Sequence, residues 1–175
     1  MLLEEKLRLW QSRIHSLNLV CAANSCALWT GFSGAERGAL QSFAMSRGKV
    51  LLEMTPGGLY LDQGEGRDLL TRDFGTSFHP WKRFVWLMAS THFANMAVGN
   101  VEVYRNILHP YRYSVHSEPS QLDILRKILW DELEELRFAP PSLAAPCVSS
   151  ITVFDMSGPS TIVGTYKLTA GSVSH

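Results

Sequence analysis

Residues 82–103 most constrain what this chain can fold into. Val85, Met88, Ala89, Phe93, Met96 and Ala97 recur at three- and four-residue spacing, which is one face of an α-helix. Gly99 stands where a helix from Lys82 to Ala97 would stop, and Val101-Glu102-Val103-Tyr104 then reads as a strand. A helix handed directly to a short apolar strand is half of a βαβ unit, and such a unit needs a sheet with helices packed on it.

The flanking chain repeats this alternation. Leu3, Leu7, Trp10, Ile14 and Leu17 predict an amphipathic helix over 3–17. Ala27-Leu28-Trp29 reads as a short buried strand ending at Gly31. Ser33-Gly34-Ala35 opens a second helix through Ser46, with Gly48 as its terminator. Lys49 to Glu53 reads as another strand, stopped by a turn at Thr55-Pro56-Gly57-Gly58, and residues 58–62 as a turn or short helix. Gly64-Glu65-Gly66-Arg67 reads as a loop leading towards Trp81. Residues 107–119 are polar and irregular; Leu125, Leu129, Leu133 and Leu136 predict a helix over 122–138, broken by Pro140-Pro141. Ser150 to Phe154 is the last expected strand. The fold class expected is α/β: a small, mostly parallel sheet flanked by helices, with a helical N-terminal part. Residues 1–157 are expected to form one domain, with the helix in 1–24 at its start and 158–175 as a peripheral tail.

Composition bounds the function. At 175 residues the chain is long enough to bury a core without staples. Sixteen basic and sixteen acidic residues balance, so there is no basic surface of the kind that phosphate-backbone binding requires, and a nucleic-acid partner is not expected. No apolar run approaches a membrane span, and the charged start Met1-Leu2-Leu3-Glu4-Glu5-Lys6 is unlike a secretory leader. A soluble protein without a membrane partner is expected, either cytoplasmic or delivered as a secreted effector. Cys21, Cys26 and Cys147 are too few for a disulfide framework and read as thiols, with one bridge to Cys147 left open. The six histidines show no ligand spacing, and Asp131-Glu132-Leu133-Glu134-Glu135 reads as the wet face of a helix, so no metal site is expected.

Taken singly, the polar and aromatic residues have ordinary explanations. Tryptophans usually pack, Glu53 beside a turn can be a solvated strand end, Ser90 in an apolar helix can be a small packing residue, and Glu118 in a polar loop can be a surface charge. Their order along the chain adds something. Leu28-Trp29-Thr30-Gly31, then Leu51-Leu52-Glu53-Met54-Thr55 with Gly57-Gly58 and Asp62, then Trp86, Ser90, Phe93, Ala94 and Ala97, then Ser114-Val115-His116-Ser117-Glu118-Pro119 and the strand Ile151-Thr152-Val153-Phe154, together resemble the ADP-ribosyl cyclase / NAD+ glycohydrolase family over roughly residues 25 to 155. With few cysteines, Met54 where the family carries an aspartate and no Trp-Cys-Gly block, the chain looks like a compact, disulfide-poor member used as a toxin.

The resemblance implies a fold like that of the cyclases and a single substrate, NAD+, with no further cofactor. It implies Glu118 as the catalytic glutamate, stabilising the oxocarbenium-like charge that develops as nicotinamide leaves; Glu102 on the Val-Glu-Val strand is the reserve candidate, although the family pattern places it off the pocket. Trp29 and Trp86 would hold the cationic pyridinium against indole faces, each contact worth ~1–2 kcal/mol when desolvated. Glu53, helped by Asp62, would bind the carboxamide. Ser90 would sit near the reacting carbon or a phosphate, and Thr30 beside Trp29. The implied reaction is hydrolysis of the nicotinamide–ribose bond to nicotinamide and ADP-ribose, with some cyclic ADP-ribose, and a toxin would be matched by an immunity protein. ADP-ribosyl transfer to a macromolecule and a catalytically silent nucleotide-binding module are the alternatives.

Overall fold

A computed structural model describes residues 1–76, 80–108 and 147–169. Among them run helices α1 (Leu3–Ser16), α2 (Arg37–Ser46), α3 (Pro56–Asp62), α4 (Glu65–Phe74) and α5 (Pro80–Asn95), and strands β1 (Ala27–Thr30), β2 (Gly99–Asn106), β3 (Val148–Gly158) and β4 (Thr161–Thr169). The strands form one sheet in the order β1-β2-β3-β4, with β1, β2 and β3 parallel and β4 antiparallel on β3. The class is therefore mixed α/β, with a mostly parallel sheet and a helical N-terminal part.

Alternation along the central strands builds the layers. Val101 and Val103 of β2, with Ile151 and Val153 of β3, point to one face and are covered by Trp10 and Ile14 of α1, Leu70 and Phe74 of α4, and Val85, Ala89 and Phe93 of α5. Ala27, Tyr104, Phe154 and Met156 point to the other face, against Leu40 and Ala44 of α2. Strands buried on both faces in this way are what parallel pairing requires. Trp10 is fully buried because its one polar atom is satisfied: Nε1 donates to Asp73 Oδ2 at 2.9 Å.

Several elements differ from the sequence expectation. The Lys49–Glu53 strand shrinks to one parallel bridge, Val50 on Cys26, followed by a 3-10 turn at Leu52–Met54. Thr55-Pro56-Gly57-Gly58 is a helix start rather than a chain-reversing turn: Thr55 Oγ1 accepts from Gly58 N–H at 3.0 Å and Pro56 takes the first helical position. Gly64–Arg67, expected as a loop, opens α4. Its glycine is there for packing, since a Cβ on Gly66 would stand 2.5 Å from the Tyr60 ring. β3 is longer than expected, and beyond Gly158, where a peripheral tail is expected, Thr161–Thr169 returns as β4. The helix expected over 122–138 lies outside the described residues. No helix among the described residues is long and apolar enough to cross a membrane.

Candidate functional site

The order of the sheet reverses at β1. After β1 the chain passes through α2 and lays Val50 along one side of the strand, where Ala27 N–H donates to Val50 O at 3.0 Å. It then passes through α3, α4 and α5 and lays β2 along the other side. In open α/β sheets the ends of adjacent connections diverge at such a reversal, and the crevice outside the carboxyl ends of the strands is where ligands bind. Here those ends carry Trp29, Thr30 and Gly31 from β1, Glu53 beyond Val50, and Arg105 and Asn106 from β2.

Trp29 and Glu53 meet. The indole Nε1–H is shared between both Glu53 carboxylate oxygens at 3.2 Å each. Glu53 is buried, so desolvation, the largest influence, pushes its carboxyl up from the ordinary value; Asp62 adds to this, while hydrogen bonds from its own backbone N–H and from Trp29, together with the Arg37 charge, act against it. Asp62, at the end of α3, is held by Arg37 at 2.8 Å. The solvated strand end expected at Glu53 is thus a buried acid with an indole donor, and beyond it lies an ion pair.

Glycine places that acid. A Cβ on Gly58 would lie 1.9 Å from the Leu52 carbonyl oxygen, and one on Gly57 2.6 Å from Leu19 Cδ2 and 2.8 Å from the Asn18 carbonyl oxygen. Only bare backbone lets the start of α3 press onto the Leu52–Met54 turn. At the neighbouring strand ends, Asn106 Nδ2 donates to the Gly31 carbonyl at 3.2 Å, tying β2 to β1 where Gly31 takes a φ of 82°.

The other predicted residues are distributed as follows. Trp86 and Ser90 are four residues apart on α5 and so share a face of that helix; both are half-buried. Trp86 packs with the cluster that contains Leu52, whereas Trp29 packs with Phe32 and Met54 in the cluster on the opposite face of the sheet. The turn bearing Glu53 belongs to both, and among the described residues no hydrogen bond joins Trp86 or Ser90 to the Trp29–Glu53 pair. Thr30 closes β1 opposite Arg105. Glu118 lies outside the described residues. Glu102, the reserve acid, is level with Ala27, towards the other end of β1. Both its oxygens are engaged, by Arg47 Nε and Nη2 at 2.6–3.0 Å and by Tyr104 Oη–H at 2.7 Å, and Arg47 in turn lies over the Phe154 ring at 4.4 Å. That arrangement holds α2 to the sheet.

Arg37 and Asn106 are the residues sequence reasoning missed. Arg37 carried a usable signal: a cation at the first position of a helix opposes the helix dipole, so a specific acidic partner is expected to hold it there. Asn106 carried none, since its role depends on β1 and β2 being neighbours. Among the described residues no group of His, Cys, Asp and Glu is arranged to hold a metal ion. Comparison with models of known protein families, with curated proteins and with solved structures finds no match to this chain.

Proposed function

We propose that this protein is an NAD+ glycohydrolase of ADP-ribosyl cyclase-like fold, cleaving the nicotinamide–ribose bond at the carboxyl edge of β1. The single observation that carries the reading is the buried Glu53 carboxyl receiving the Trp29 indole N–H at a strand-order reversal. A carboxyl whose proton burial holds more tightly can, when protonated, donate through one oxygen and accept through the other, which matches the C=O and NH2 of a carboxamide. The Trp29 ring beside it offers an electron-rich face to the cationic pyridinium. Asp62 and Arg37 hold the neighbouring wall, and Arg37 is partly exposed, so it can turn towards a phosphate when a substrate competes for it.

In this reading Glu118 is the acid beside the reacting carbon, Trp86 and Ser90 line the approach from α5, and Thr30 stands next to Trp29. Water attacks the ribosyl carbon as nicotinamide departs, giving ADP-ribose.

The test is to incubate the purified chain with NAD+ and resolve nicotinamide, ADP-ribose and cyclic ADP-ribose. Nicotinamide and ADP-ribose should appear in step, and Glu118→Gln should slow their release by about a hundredfold or more, the usual scale for removing a group that stabilises transition-state charge. No release of nicotinamide by the parent chain would refute the activity. A Glu118→Gln variant as fast as the parent would refute the assignment of the acid.

A further inference from the structure

The segment between α1 and β1 holds two cysteines that take no part in the site above. Ser25 N–H donates to the Ala22 carbonyl at 3.1 Å, closing a turn in which Asn24 takes a φ of 61°. Asparagine tolerates that left-handed conformation better than most side chains. The turn brings Cys21 and Cys26, one on each side of it, back against the same hydrophobic cluster. The two are not equivalent: Cys26 is fully buried and Cys21 half-exposed. Beside them lies Lys49, itself buried, whose ammonium donates to the carbonyl of Asn24 within the turn and to that of Asn100.

This surrounding divides the protons unequally. The Cys26 thiol, as the largest influence, together with Ser25 and the Lys49 charge, outweighs burial and holds Cys21 down to about 6; Cys21 and burial push Cys26 up. Cys21 is therefore the accessible and more readily ionised thiol, and Cys26 the buried thiol behind it. That is the arrangement of an attacking and a resolving cysteine.

We propose that Cys21 and Cys26 form a peroxide-reactive dithiol that closes to an intramolecular disulfide. The Cys21 thiolate attacks one oxygen of a small hydroperoxide. The O–O bond breaks, the departing oxygen leaves as hydroxide or alkoxide and takes a proton from water, and Cys21 becomes a sulfenic acid. The Cys26 sulfur then attacks the Cys21 sulfur, the S–O bond breaks, and the hydroxyl leaves with the Cys26 proton as water. Overall, two thiols and one hydroperoxide give one disulfide, one alcohol (or water) and one water. Cys147 is exposed and serves as an internal comparison.

The experiment treats the full chain with one equivalent of hydrogen peroxide, alkylates it after denaturation and maps the peptides by mass spectrometry. The expected product has lost two hydrogens, carries a Cys21–Cys26 link and leaves Cys147 alkylated. In the untreated native chain, iodoacetamide should label Cys21 with a pH midpoint near 6. Cys26→Ser should stop at a sulfenic acid on Cys21 that dimedone traps. Absence of a disulfide in the parent chain, a bridge to Cys147 instead, or a Cys21 labelling midpoint at the free-thiol value of about 8.5 would overturn the proposal.

Discussion

Glu53 shows how one side chain changes meaning once its surroundings are known. In the sequence it is a carboxylate beside a turn; in the fold it is buried, with an indole N–H on its oxygens and desolvation pushing its carboxyl up from 4.5. A raised value means that the folded state holds its proton longer than the unfolded chain does. The resulting stability is fully present below about pH 4.5 and is lost as pH rises through the higher folded value. Glu53→Gln keeps an oxygen for the Trp29 donor and has no proton to lose. The melting temperatures of parent and variant should therefore keep a constant separation at acidic pH and diverge in the variant's favour above it. Parallel melting curves from pH 4 to pH 8 would mean that Glu53 ionises without penalty.

At the scale of elements, glycines set the distances that hold the site. A Cβ on Gly58 would press to 1.9 Å on a backbone carbonyl that cannot move without displacing the Glu53 turn, whereas one on Gly66 would meet the Tyr60 ring at 2.5 Å and the Tyr60 carbonyl oxygen at 2.8 Å, a shallower overlap. Gly58→Ala should cost about 2–3 kcal/mol, the range typical of overpacking against an immobile neighbour. Gly66→Ala should cost less, about 1–2 kcal/mol, because the Tyr60 carbonyl stands farther off and alanine's better helix propensity recovers part of the clash. Urea unfolding of the two variants checks the order, and equal losses would place the Leu52–Met54 turn among the parts free to relax. The same geometry explains why α3 and α4 were hard to foresee. Glycines that normally mark loops are here the means by which two short helices approach the turn and each other.

At the scale of the whole molecule, β4 completes the sheet. β3 is paired on both sides, with β2 parallel and β4 antiparallel, and the far strand bears the exposed apolar residues Ile162 and Val163. Removing the chain after Pro159 would leave the β3 edge open, and open edges pair with other chains. The shortened protein should melt lower and form larger species on size exclusion. An unchanged melting temperature with a single monomeric peak would show that β4 adds nothing to the sheet.

Local pattern was enough to determine α1, α2, α5 and the core of β2 and β3, because each has an apolar face whose period survives any choice of neighbours. It also marked Trp29, Glu53 and Asp62 as residues worth watching, through their order along the chain. It could not determine that Val50 and β2 lie on opposite sides of β1, that Arg37 reaches Asp62, or that Asn106 ties to Gly31. The last two contacts join residues 25 and 75 positions apart. The energy that selects such pairings comes from burying two faces of one sheet at once, a condition no single stretch of sequence contains. The tertiary structure alone decided that a tryptophan N–H from one element donates to a glutamate carboxyl from another at the carboxyl edge.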